Sequence, residues 1–193
     1  KFKKIGKQVF VIPDGIDAFN NIEPSNKNSN EKNVLWHGHN SNINSLIRII
    51  SDELSEYKFN LHIVSNYLSF DILKKTKFNN IPKCKPIAHL WSIEKLMSLS
   101  KICDFAILPS DKQWASANRL ITNFRLGLPV MAETINSYNE FSEYYCEFEK
   151  KQIIKMFDCP ERWHKSVKLA QSKIDKDFNK LVLIDLWKKI LVL

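Results

Sequence analysis

Glycine is scarce in this chain, with four among 193 residues, at positions 6, 15, 38 and 127. A phosphate-wrapping loop built on clustered glycines cannot be assembled from them. Neither G-x-G-x-x-G nor G-x-x-x-x-G-K-[ST] occurs, which argues against a dinucleotide-dependent dehydrogenase and against a P-loop ATPase. G-x-S-x-G is also absent, so the nucleophile elbow of a serine hydrolase fails. Cysteine is sparse and irregularly spaced (Cys84, Cys103, Cys146, Cys159), with no C-x-x-C, and the five histidines include no H-E-x-x-H. No zinc or other metal site is expected, and a reducing, cytoplasmic compartment suits such thiols best. No apolar run approaches the ~20 residues that span a bilayer. No secretory signal opens the chain. Its first residue is Lys1 rather than Met, as in an excised or processed piece.

What is abundant is positive charge, a formal net +8, on a composition that is 44% hydrophobic and 26% charged, as in a folded globular domain. The lysines are scattered, and aromatic residues do not interleave with them as stacking platforms would, so nucleic acid is not an expected partner. Phosphate-bearing ligands and an anionic membrane surface remain candidates.

Apolar runs alternate with helical patterns. Residues 8–12, 34–37, 61–64, 86–91, 105–108 and 130–132 read as strands. Ile43, Leu46, Ile47, Ile50 and Leu54 form a helical stripe capped by Ser41 or Asn42. Residues 70–77 read as a short helix, and Ser92 can cap another that uses Ile93, Leu96, Met97 and Cys103. Such alternation predicts a Rossmann-like α/β fold, a parallel sheet with helices on both faces. C-terminal helices follow. Pro160 suits a first helical position, Trp163, Val167, Ala170 and Ile174 continue one stripe, and 181–193 is a last apolar helix with Lys188 and Lys189.

The most informative stretch is residues 116–130, SANRLITNFRLGLPV, which reads as helix, glycine stop and next strand. Ala117, Leu120, Ile121 and Phe124 fall on one helical face. Ser116 is the expected N-cap, and Gly127 with Pro129 ends the helix. Asn118 and Arg119 lie in the first turn beside unpaired N–H groups, where phosphates bind. A first-turn cation opposes the helix dipole, a penalty that a bound anion would offset. The alternative reading of Arg119 is a solvated surface arginine. His39, after Gly38 at a strand end, could donate to a phosphate or pack locally. Lys112 could reach a diphosphate or stay solvated. Trp91, followed by Ser92, could frame a nucleobase or be a core aromatic. Residues 140–149, acidic and aromatic, read as a solvated helix face.

In order along the chain, these pieces resemble the C-terminal, donor-binding half of GT-B-fold glycosyltransferases (glycosyl transferases group 1). Val-Ile-Pro-Asp-Gly-Ile-Asp at 11–17 resembles that domain's entry segment, and Val-Leu-Trp-His-Gly at 34–38 its first strand and glycine. Asp-Phe-Ala-Ile-Leu-Pro-Ser at 104–110 resembles its A-D-V-x-V-x-P-S strand. Asn118-Arg119-Leu120, followed by Gly-Leu-Pro-Val at 127–130, resembles N-K-L-x-E-Y-x-A-x-G-x-P-V.

The resemblance implies a nucleotide-diphosphate sugar as substrate, no cofactor or metal, and an acceptor-binding N-terminal domain as partner. It places Gly38, His39, Lys112, Ser116, Asn118 and Arg119 at the diphosphate, and Trp91, Ser92 and Thr122 at the nucleoside and sugar. It also implies metal-independent transfer, in surface polysaccharide or glycolipid synthesis, at the cytoplasmic face of a membrane. No catalytic residue can be named. Two departures stand out. Thr122 replaces the glutamate that would hold hydroxyls, and the basic residues after the first-strand glycine correspond to His39 and Asn42 or Asn44. The expected organisation is 1–33 entry strand and Asn-rich loop, 34–150 nucleotide-sugar-binding unit and 151–193 C-terminal helices. A non-catalytic binding module and a sugar-nucleotide epimerase are the alternatives.

Overall fold

The computed structural model describes residues 20–27, 31–66, 83–113 and 115–191. The strand at 8–12, the entry segment at 11–17 and the helix at 70–77 fall outside them.

The short apolar runs become β1 (Lys32–His37), β2 (Phe59–Ser65), β3 (Cys84–Leu90), β4 (Phe105–Leu108) and β5 (Val130–Ala132). They form one parallel sheet of five strands in the order β3-β2-β1-β4-β5. Central β1 is paired on both sides, with Val34 opposite both Leu61 and Phe105. Strand alternation sends Val34 and Trp36 into one core cluster and Leu35 into another. Two buried faces then need two helical layers.

Helices α1 (Ile43–Asp52) and α4 (Lys150–Asp158) cover the Val34 face, bringing Ile43, Leu46, Ile50, Ile153 and Met156 onto it. The Leu35 face receives α2 (Ile93–Ser100) through Leu96 and Leu99. Beside it, α3 (Asn118–Arg125) and α5 (His164–Asp177) pack on Leu108, Val130 and Ala132 through Leu120, Ile121, Phe124, Val167, Ala170 and Ile174. The last helix, α6, spans Lys180–Leu191. The expected Rossmann-like sheet with helices on both faces is thus observed.

Several boundaries differ from the sequence expectation. Both β1 and β2 begin two residues earlier, because ladder pairing extends past the apolar run to Lys32 opposite Phe59. β3 is an edge strand and tolerates Pro86, which stands opposite Leu61. Asn42 occupies the N-cap of α1 but makes no side-chain cap bond. A 3-10 turn at Asn40–Asn42 precedes the helix, and the His39 side chain caps that turn by accepting from Ser41 N. Ser92 does cap α2, accepting from Lys95 N at 3.1 Å. Residues 140–149 do not form one helix face. A 3-10 turn at Asn136–Phe141 buries Tyr138 and Phe141, and Cys146 bridges to Met131. Glu140, Glu143, Glu147 and Glu149 stay exposed, as expected of solvated carboxylates.

The stop after α3 follows the sequence closely. Gly127 has φ +73°, its N–H bonds Phe124 O at 2.9 Å, and Leu128 N bonds Asn123 O at 3.1 Å. This is the paired closure of a Schellman end. A Cβ at 127 would also come within 2.5 Å of Ile22 O, so both conformation and space require glycine there. Pro160 sits at the first position of the Pro160–Trp163 3-10 turn that leads into α5, as expected.

Candidate functional site

In a sheet ordered 3-2-1-4-5, connections leave in opposite directions on either side of the gap between β1 and β4. Ligands of such folds sit outside the carboxyl ends of the strands at that gap. β1 ends at His37 and gives way to Gly38, and β4 ends at Leu108 and gives way to the loop at 109–113. Gly38 is pinned from the β2 side. Its N–H donates to Val64 O at 3.1 Å, and its carbonyl accepts from Ser65 Oγ at 2.5 Å.

Arg119 comes to this place from α3. A Cβ built on Gly38 would lie 3.3 Å from Arg119 Nη1 and 3.0 Å from the Trp36 ring. The guanidinium therefore packs directly on the glycine. Arg119 Nη1 is buried and has no hydrogen-bond partner among the described residues, nor does Arg119 form an ion pair there. Burial pushes its pKa down from the usual range, yet an arginine keeps its charge. The solvated-surface reading of Arg119 fails, because the group is largely enclosed.

Two further buried groups near the guanidinium escaped the sequence reading. His37 is 5% exposed with Nε2 unpartnered, and Tyr138 is fully buried with its hydroxyl unpartnered. Burial first, and the Arg119 charge second, hold the His37 pKa at about 3, so its imidazole is neutral. Tyr138 is pushed up by burial and partly pulled back by Arg119. One enclosed cation and two unsatisfied polar groups thus share this corner. Buried polar atoms without partners are rare and costly, which marks the spot for a ligand. Periodicity could not reveal Tyr138, because it lies in a short 3-10 turn 19 positions after Arg119.

The remaining expected residues divide. His39 is exposed, and its Nδ1 accepts from Ser41 N at 3.3 Å. That leaves the proton on Nε2, ready to donate outward. Ser116 is exposed and is not the cap. Ala117 occupies the N-cap of α3 and makes no side-chain cap bond. The helix N-terminus is therefore left for an external acceptor rather than a serine hydroxyl. Asn118 begins the helix, half-buried like Thr122 one turn later. Lys112 belongs to the 109–113 loop, where its N–H donates to Ser110 Oγ at 3.3 Å. Trp91, just past β3, is 53% exposed, which overturns its reading as a core aromatic. The Ser92 hydroxyl is committed to the α2 cap.

A second cluster, also missed in the sequence, fixes the 109–113 loop. Glu133, just past β5, accepts from Ser110 N at 2.7 Å and from Arg48 Nη2 at 2.7 Å. Arg48 also reaches Asp111 at 3.2 Å, and Ser45 Oγ donates to the same carboxylate. Gln113 Nε2 donates to Thr134 O at 3.3 Å. Arg48, Ser110, Gln113 and Glu133 border a cleft of about 340 Å³ that also takes in Glu147 and Glu149. Among the described residues, no group of three or more His, Cys, Asp or Glu side chains is placed to hold a metal ion.

This architecture is a Rossmann-like unit with an enclosed arginine at its switch point. No protein-family model matches the sequence, and no curated protein matches it. Solved structures do. TarM superposes with a TM-score of 0.72 at 14% identity, over 95% of this chain and 39% of TarM. Anabaena Alr3699/HepE in complex with UDP-glucose gives 0.66 at 14% identity, over 85% of this chain and 50% of the other. The C-terminal domain of LpcC, a glycosyl transferase group 1 family protein from Francisella tularensis, gives 0.57 at 10% identity, over 82% and 89%. The chain therefore has the fold of a glycosyltransferase C-terminal domain, as the motif order implied. It spans half or less of TarM and HepE.

Proposed function

We propose that this chain is the donor-binding half of a glycosyltransferase, holding a nucleotide-diphosphate sugar at the β1–β4 gap. One observation carries the reading: Arg119, enclosed and with no partner for Nη1 among the described residues, lies on Gly38 at the N-terminus of α3, where Ala117 supplies no side-chain cap. A diphosphate there would accept from Arg119, from the helix N–H groups and from His39 Nε2. HepE, which shares the fold, binds UDP-glucose.

In the reaction, the bond between the sugar anomeric carbon and the diphosphate oxygen breaks, and its electron pair stays on the diphosphate. The acceptor oxygen bonds to that carbon and gives up its proton. Arg119 and the α3 terminus stabilise charge as it builds on the leaving group, which is the role of preorganised donors. On this reading they do so without a metal or other cofactor. The acceptor and the base belong to a separate N-terminal domain. Trp91, exposed at the same carboxyl edge, is assigned to the nucleobase of the donor, and Thr122 supplies one hydrogen bond to a hydroxyl. The product is a surface polysaccharide or glycolipid, made in the cytoplasm, where the free thiols stay reduced.

Melting temperatures with UDP, GDP, ADP and CMP, for wild type and Arg119→Ala, test this. One diphosphate should stabilise the wild type, and the variant should lose most of that shift. No shift with any nucleotide overturns the donor-site reading. Thr122, in place of the family glutamate, keeps a second reading in play, a binding module without transfer. Nucleotide binding by the full-length protein with no sugar transfer would select it.

A further inference from the structure

Four buried polar atoms without a partner among the described residues meet at the Arg119 corner. They are Arg119 Nη1 itself, His37 Nε2, Asn123 Oδ1 and Tyr138 Oη. Such atoms are few in native proteins, and a group of them calls for something that arrives to satisfy them. For a phosphate to be met, the guanidinium needs a neighbour that orients it without consuming its charge. Asn123, one turn further along α3, spends its Nδ2 on the Arg119 carbonyl at 2.9 Å. Burial and then the Arg119 charge hold the His37 imidazole neutral, with Asn123 alone acting the other way. An amide that favours the protonated ring faces its N–H, so His37 turns that side to Asn123 and not to the cation.

Tyr138 remains. Its backbone is fixed, because its N–H donates to Ile135 O at 2.9 Å and the neighbouring Ser137 hydroxyl donates to Ala115 O at 2.6 Å. Its ring is fully buried and meets the Tyr145 ring edge-on, with centroids 6.0 Å apart. The hydroxyl is therefore held in one place. Burial raises the Tyr138 pKa and Arg119 pulls it back, while Tyr138 in turn supports the arginine charge against burial. A phenol suits this position for a definite reason. Its oxygen can accept from a guanidinium N–H while keeping its own proton, so it orients the cation and leaves the whole positive charge to a ligand. A carboxylate would orient the cation and cancel it, as Glu133 does with Arg48 at 2.7 Å.

We propose that Tyr138 is a positioning residue of the donor site, its hydroxyl turning the Arg119 guanidinium to the phosphates and leaving that charge uncancelled. This rests on the donor-site reading above. Tyr138 is fully buried, so it acts through Arg119 and not on the substrate.

Tyr138→Phe removes the single oxygen in question. Unliganded, the variant should melt at or above the wild type, because the hydroxyl has no described partner to lose. Its affinity for whichever of UDP, GDP and ADP the wild type binds most tightly should fall about tenfold, as for a lost hydrogen bond to a charged group. In the Arg119→Ala background the same change should cost nothing further, because the tyrosine acts only through the arginine. With that nucleotide bound, the Arg119 side-chain N–H signals in NMR, identified by their loss in Arg119→Ala, should be resolved in the wild type and averaged by rotation in Tyr138→Phe. Unchanged affinity in Tyr138→Phe overturns the inference and leaves the donor site standing. So does an equal loss with and without Arg119, or Arg119 signals equally resolved in both proteins. A wild type that binds none of the three nucleotides overturns the donor-site reading, and this inference with it.

Discussion

Arg48 and Arg119 both reach the carboxyl edge of one sheet, from α1 and α3, and they are treated in opposite ways. Arg48 meets Glu133 at 2.7 Å and Asp111 at 3.2 Å, and Glu133 in turn holds the Ser110 N–H. Every strong charge in that cluster is answered from within the fold. Arg119 is more deeply enclosed, yet among the described residues it pairs with no carboxylate, and His37 Nε2 and Tyr138 Oη beside it have no partner there. A buried cation without a partner works against folding stability. The contrast separates charge that holds a loop in place from charge kept open for something that arrives later.

The largest effect is expected at Arg119. Truncating one partner of a buried charge pair costs on the order of 3 kcal/mol, about 100-fold in affinity. Arg119→Ala should therefore lose about that much affinity for the preferred nucleoside diphosphate by calorimetry. The unliganded protein should melt no lower than wild type, and slightly higher if relief of the enclosed charge outweighs lost packing. A variant that melts several degrees lower while keeping its affinity would make Arg119 a structural residue like Arg48.

Glu133→Ala should show the reverse pattern. It leaves Arg48 with Asp111 alone and the half-buried Ser110 N–H without its acceptor, a loss of about 2 kcal/mol in a urea titration. Glu133→Gln keeps an acceptor for Ser110 and should recover about half. If instead Glu133→Ala leaves stability untouched, the cluster is an exposed ion pair of the ordinary weak kind.

These two clusters also show what could be read before the fold was known. Residues 116–130 declared a helix, its glycine stop and the following strand, because spacing and turn chemistry are local. Gly127 behaves as its position demanded. Arg119 was legible as a candidate, since it breaks the dipole rule for a first turn. The paired cluster was not. It joins Arg48, Asp111 and Glu133 across up to 85 positions, and nothing at any one of them predicts the meeting. Ser116 shows the opposite error, a good cap by residue type that the backbone bypasses by starting the helix at Asn118. Of the two readings of Trp91, nucleobase frame or core aromatic, the edge position of β3 removes the second by leaving the ring exposed.

Acid should expose the unpaired side. In the unfolded chain a histidine gains its proton near pH 6.5, whereas folded His37 resists until about 3. The unfolded state then binds more protons across that window, so stability is complete above about pH 6.5 and falls as pH drops. The slope is about 1.4 kcal/mol per pH unit for each such group. His62, held at about 4 by burial and by His89, loses stability over the same range. Site-resolved NMR titration separates the two. A bound diphosphate should raise the His37 pKa by cancelling the field of Arg119 and leave His62 unchanged. Equal shifts at both would dissociate His37 from the ligand corner.

The smallest and most selective change is Gly38→Ala. The new methyl would sit 3.0 Å from the Trp36 ring and 3.3 Å from Arg119 Nη1. Trp36 is fully buried and cannot retreat, whereas the guanidinium is the far end of a flexible side chain and can. The strain should therefore be relieved mainly by displacing Arg119, at about 1 kcal/mol in stability, the low end for overpacking. Nucleotide affinity should fall more than stability does, because the displaced charge no longer meets the phosphates in line with the α3 terminus. The Arg48–Glu133 cluster should be untouched, so Gly38→Ala and Glu133→Ala should add in a double variant. A marked departure from additivity would mean that the two arginines, so differently placed, belong to one network after all.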